Sequence, residues 1–232
     1  MAPVSARLRL RRALPRLAFL AMVWGVLSGG VFSGCRGLFT PAIPEAPTGP
    51  PIVLDYSEPV DVLRTMTAGL EAKAQGSSAW LGGFADAARG DSVDYHQVFD
   101  AVDLSAFEAS CGCAAPTDWQ VSQEREFYGS LVDVRPSDEY AMAFDSLQTD
   151  PDPAPADHKV TYFRKYTLIA RDPDSGSSLI IGIGFARLTF TEVEVNRWAI
   201  SRWEDQVDPD VGGNPGDERL TLGRRRMESI RR

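Results

Sequence analysis

Three groups of side chains in this sequence have the types and spacing that chemistry needs. Asp94, Tyr95 and His96 are consecutive and bring a carboxylate, a phenol and an imidazole together, the groups that carry general acid–base catalysis. Tyr162 and Tyr166 stand four apart, so they share one face of an extended chain and could donate hydrogen bonds to a substrate oxygen. The plainer reading of all five is that they are loop and core residues, because spacing alone fixes no mutual geometry. Cys111-Gly112-Cys113 is a second group, able to close a small disulfide ring in an oxidising compartment. A redox role would want cations to lower a thiol pKa, whereas the nearest charges are Glu108 and Asp118. A local staple or two free thiols therefore fits better. Asp-Pro-Asp occurs three times, at 150–152, 172–174 and 208–210. If the later strands form a meander, the second and third copies meet at one end of the sheet, with oxygens enough for Ca²⁺. Asp-Pro is equally ordinary turn chemistry, and no Ca²⁺ loop has this spacing. With only two histidines, His96 and His158, there is no metal triad and no Ser-His-Asp arrangement. No catalytic, cofactor-binding or metal residue is assigned.

A fourth group concerns address rather than catalysis. All five charges in the first 34 residues are arginines, and an uncharged apolar stretch runs from Leu17 to Cys35. A basic start, a short apolar run and small residues before a cut form the export pattern. The run ends Phe32-Ser33-Gly34-Cys35, which resembles the lipobox of bacterial lipoproteins. In that family the cysteine is acylated on sulfur and becomes the new N-terminus; Phe32 stands where an aliphatic residue is usual. The resemblance implies lipid attachment at Cys35, with acyl chains enough for stable anchoring. Arg36, not Asp, follows the cysteine, which by the same resemblance points to the outer membrane, facing the periplasm or the cell surface. A transmembrane helix, needing roughly 17–25 apolar residues, and an ordinary signal peptide cut elsewhere are the alternatives.

Charge divides the chain further. Across its 232 residues it carries 24 Lys and Arg against 32 Asp and Glu. Between 36 and 218 the balance is 13 against 31, while five arginines fall in the last nine residues. A body this acidic does not suit unspecific nucleic-acid binding, which depends on neutralising phosphates; no nucleic-acid partner is expected. The basic tail has two readings: docking on its own acidic domain, with Trp203 or neighbours receiving arginine stems, or meeting an anionic partner or headgroup surface. Docking is favoured.

The elements that would position these groups follow a tether. Residues 1–34 read as the leader and 35–55 as the acylated cysteine with a linker, in which Pro41, Pro44, Pro47, Pro50 and Pro51 favour extended polyproline II. A helix capped by Ser57, with Pro59 in its first turn, is expected over 58–75 from Val60, Leu63, Met66, Thr67, Leu70 and Ala74. Trp80, Leu81 and Phe84 open a second short helix, and a third is expected around Val121–Leu131. The stretch 93–110 is ambiguous. After Pro136 the period changes to two, giving strands at 140–144, 158–171, 179–195 and 197–205, with Gly182 and Gly184 placed for curvature or a bulge. Helices first, then a curved antiparallel sheet they pack against, is an α+β domain over 56–206; 207–232 is an acidic loop and basic tail.

That order resembles the nuclear transport factor 2-like domain, and more closely small bacterial lipoproteins carrying it. Their last strand reads W-x-I-x-R-W-E-D, here Trp198, Ile200, Arg202, Trp203, Glu204 and Asp205, before a basic tail. The resemblance implies a cone-shaped α+β fold that often encloses a pocket. Some relatives are ketosteroid isomerases or polyketide cyclases, whose catalytic motifs are not matched here. A lipid-anchored binding or assembly module without enzymatic activity is thus the first expectation, with no cofactor. Its partners would be the membrane through Cys35 and either a protein or a small apolar ligand. A pocket enzyme of the isomerase or cyclase type, built on Asp94, Tyr95, His96, Tyr162 and Tyr166, is the alternative.

Overall fold

The computed structural model describes residues 51–147, 152–210 and 220–230. The leader, Phe32, Ser33, Gly34, Cys35 and the tether up to residue 50 lie outside the described residues, as do Asp150 and Pro151. Helix α1 (Pro59–Glu71) buries Val62, Leu63, Met66 and Leu70, an apolar stripe at helical spacing, and leaves Val60 outward. Ser57 does not cap it. Glu58 holds the N-cap position, and Ser57 donates instead to Asp55, at 3.0 Å from its amide and 2.8 Å from its hydroxyl. The helix stops short of the expected residue 75 because a 3-10 turn, Lys73–Gly76, folds back on it. A Cβ on Gly76 would lie 1.7 Å from the Gly69 carbonyl oxygen, so the two backbones touch where only glycine fits.

Helix α2 (Ser77–Gly82) carries Trp80 into the core. The ambiguous stretch resolves into strand β1 (His96–Val98) and helix α3 (Ala101–Cys111). Asp100 caps α3 by accepting from the Val102 amide at 2.7 Å, and Gly112 ends it in the left-handed region at φ 64°. Helix α4 spans Val121–Val134. Strands β2 (Glu139–Ser146), β3 (Lys159–Arg171), β4 (Ser178–Glu194) and β5 (Arg197–Gln206) follow, then helix α5 (Leu222–Ser229).

These strands form one open, curved sheet in the order β1-β5-β4-β3-β2. Neighbours from β2 to β5 are antiparallel, but β1 lies parallel to β5, with Gln97 opposite Trp203. The sheet is therefore mixed, not wholly antiparallel. The chain is led into that position by backbone bonds from Ala85 to Ile200 and from Tyr95 to Ala85, both 3.0 Å, and three residues are too few to show an alternation. A register shift at Leu168/Ile169 falls opposite Gly182, where a bulge was expected. Helix α1 packs on β2 and β5, α4 touches α2 and α5, and α5 meets β4 and α3. The second and third Asp-Pro-Asp copies do not converge. Asp172 closes a turn just past β3 by accepting from the Asp174 amide at 2.9 Å, while Asp208 is 2.7 Å from Lys165 in mid-strand. Among the described residues no helix is long and apolar enough to cross a membrane.

Candidate functional site

The helix-covered face of the sheet encloses a charged cluster. Strand β5 places Trp203 and Asp205 two apart, hence on one face, and both are buried. Asp205 Oδ1 accepts from the Tyr166 hydroxyl at 2.7 Å and the Trp203 indole at 3.0 Å, and Oδ2 accepts from Gln97 Nε2 at 3.0 Å. Tyr95 in turn donates to Gln97 Oε1 at 2.6 Å. Tyr166 reaches Asp205 because Gly184 lies opposite it in the register: a Cβ there would sit 2.8 Å from the tyrosine oxygen. Helix α4 contributes Glu124, whose carboxylate accepts the Trp80 indole at 3.2 Å and the Trp119 indole at 2.9 Å.

Between these two carboxylates lies Arg226 of α5, 0% exposed. Its Nε and Nη2 form a fork on Glu124 at 2.8 and 3.0 Å, and Nη1 reaches Asp205 at 3.5 Å. The guanidinium also lies 4.5 Å from the Trp203 ring and 5.5 Å from that of Phe127, within cation–π range. Helix α5 is set by Thr221, which accepts from the Arg224 amide at 3.0 Å and donates to Asp103. Leu222 gives its amide to the Tyr166 oxygen at 2.9 Å, and Arg224 bonds the Asp103 carbonyl and the Ser110 hydroxyl of α3. The basic tail docks in its own domain, with an arginine received by Trp203 as the sequence suggested.

Electrostatics follow from burial. Desolvation pushes the Asp205 carboxyl up against the opposing pull of Arg226, and pushes the Tyr95 and Tyr166 phenols well above their ordinary range, so both stay neutral donors. Burial alone would lower Arg226, but Glu124, Tyr95 and Asp205 outweigh it and the net direction is up. At the edge of the cluster, burial raises Asp103 to about 6.

Of the five residues singled out in the sequence, Tyr95 and Tyr166 enter this cluster. Asp94 is exposed and accepts from the Ala87 amide at 2.8 Å, a loop contact. His96 is exposed because the alternation along β1 turns it away from Tyr95 and Gln97. Tyr162 shares a face with Tyr166 but is buried against Phe190, with Arg164 4.6 Å from its ring. The carboxylates are Asp205 and Glu124, neither of them read as a site residue. Asp205 was in view as the end of the W-x-I-x-R-W-E-D strand, and Arg226 within the basic tail. Glu124 sits among polar neighbours on α4 and gave no signal. Cys111 and Cys113 form a disulfide at the end of α3, a local staple. An open groove runs beside α5 over Phe127, Leu131, Leu179 and Ile181, with Arg225 among its lining.

As it stands the cluster can hold a guanidinium; Asp205 and its Tyr166 partner would face a substrate only if Arg226 left. The sequence matches no protein-family model and no curated protein. Comparison with solved structures finds partial matches at low identity. A protein of unknown function from Mycobacterium tuberculosis is 12% identical at a TM-score of 0.46, over 73% of this chain and 85% of that one. The protein Aln2 from a Streptomyces species is 12% identical at 0.45, over 67% and 92%. A nuclear transport factor 2-like superfamily protein from Salmonella enterica is 10% identical at 0.42, over 67% and 92%.

Proposed function

We propose that this chain is an exported bacterial lipoprotein, anchored by acyl chains on Cys35, whose nuclear transport factor 2-like domain is a binding or assembly module without catalytic activity. Membrane and protein contacts would be its business, at the outer membrane on the periplasmic or surface side. The observation that carries the module reading is Arg226: the buried groups best suited to acid–base work, Asp205, Tyr166 and Tyr95, are engaged with it or with one another. The address rests on the arginine cluster, the apolar run and Phe32-Ser33-Gly34-Cys35.

One observation favours the second reading, an isomerase- or cyclase-type pocket. Burial pushes the Asp205 carboxyl above its ordinary range and it sits 2.7 Å from a phenol, a pair that would suit a developing enolate if the carboxyl were protonated and α5 displaced. Two measurements test the pair. Intact mass of the membrane-extracted protein should begin at Cys35 with added acyl mass, absent from Cys35→Ser; a chain retaining residues 1–34 without acylation would overturn the anchor. Fluorescence titration with a planar phenol, 2-naphthol, should show no saturable binding to the wild type. Saturable binding that Asp205→Asn weakens would replace the module with the enzyme.

A further inference from the structure

The groups that orient the cage around Arg226 lie on the rest of the fold, outside α5. Glu124 is oriented by two indole N–H groups, from Trp80 and Trp119. Asp205 is oriented by Tyr166, Trp203 and Gln97, and the Trp203 ring supplies the stacking wall. None of these five orienting groups belongs to α5. A fork-shaped, planar cation fits such a site better than an ammonium does, because the paired oxygens of Glu124 match two parallel N–H bonds.

The occupant is held differently. Helix α5 has eight residues, too few to be stable alone. Its sequence, LGRRRMES, sends Leu222 and Met227 into apolar burial. The rest of its attachment is polar: the Arg226 fork, the Arg224 bonds to α3, and the Arg225 bond to the Ile181 carbonyl at 2.8 Å. Buried ion pairs add little net stability, since desolvation offsets most of the attraction. Set against an apolar replacement the fork adds little, and Leu222 and Met227 supply the helix's apolar docking. Were α5 to leave, Glu124 and Asp205 would share a buried space with no cation and would demand one.

We propose that the Glu124–Asp205–Trp203 cage is a receptor for an alkylguanidinium group, served in cis by Arg226, and that α5 is its displaceable resident. This deepens the module reading by naming the chemistry of what the module binds, yet its test depends on neither Cys35 nor catalysis. Arg226→Ala keeps Cβ and removes the atoms that ethylguanidinium restores. The thermal midpoint of that variant should rise with the logarithm of ethylguanidinium concentration, while wild type stays unmoved and ethylammonium has no effect. Equal rescue by ethylammonium, or none by either cation in a folded variant, overturns the guanidinium receptor. Hydrogen exchange on wild type covers a variant that fails to fold. The α5 amides should exchange by local opening, about tenfold or more faster than those of β3 and β4. Exchange of α5 only with global unfolding overturns displaceability. If 2-naphthol binds while the rescue still holds, the module reading falls and the cage survives.

Discussion

At the scale of single residues, the cluster is three charges in a place where charge is expensive. Removing one partner of a buried ion pair costs about 3–5 kcal/mol, because the group left behind is uncompensated. Arg226→Met, which keeps the volume, should lower unfolding stability by that amount in denaturant titration. Glu124→Gln paired with Arg226→Met should cost less than the two single changes summed, since contacting residues couple; full additivity would mean that the fork carries no energy. Asp103 gives a pH dependence whose sign can be worked out. Burial raises it from 3.8 to about 6, so between those values the folded protein holds a proton that the unfolded chain has released. Its contribution is fully present below pH 3.8 and is lost as pH rises through 6. Asp103→Asn can still accept the Thr221 hydroxyl. Its melting midpoint relative to wild type should therefore climb between pH 4 and 6 and level off above 7. A flat difference would show that Asp103 does not titrate in that window.

At the scale of elements, what was legible follows from how each element earns its shape. The four long strands show in the alternation of Val160, Tyr162, Tyr166 and Leu168 and in the run from Leu179, because one face of each is buried and period two must appear in the residues. Strand β1 hid, since it exists through its pairing with β5 and holds only three residues. Helix α3 hid too: it buries only Asp103 and Phe107, so it has no apolar stripe to read, and its true signals were Asp100 and Gly112 at its ends. The site was half visible. Strand phase brings Tyr166 inward, but nothing local says that a tail arginine will cross to meet a glutamate 102 positions away. Two local features carry predictions. The turn at Gly76 has no room for a methyl group, so Gly76→Ala should destabilise by about 1–3 kcal/mol through overpacking. The disulfide joins residues only two apart. A ring that short removes little unfolded-state entropy, so Cys111→Ser with Cys113→Ser should cost no more than about 1.5 kcal/mol.

At the scale of the molecule, the tail arginines and the proposed lipid anchor make opposite claims about what would hold the chain to a membrane. If a basic tail met anionic headgroups, it would need free cations, each worth about 1 kcal/mol near such a surface. The described tail has few to offer. Arg226 is buried in the cage, Arg224 is buried against α3, and Arg225 is bonded to the Ile181 carbonyl and 3.3 Å from Glu228. The body before it is strongly acidic, which anionic lipid repels. Acyl chains on Cys35 would act through burial of hydrocarbon instead, at about 0.8 kcal/mol per methylene, a contribution that salt does not screen. Membranes carrying the wild-type protein and washed in about 1 M salt, where charges are screened within about 3 Å, should therefore retain it as fully as at low salt. Release into the wash would mean attachment by charge. That result would place the membrane-binding surface on exposed cations and take the proposed anchor away from Cys35.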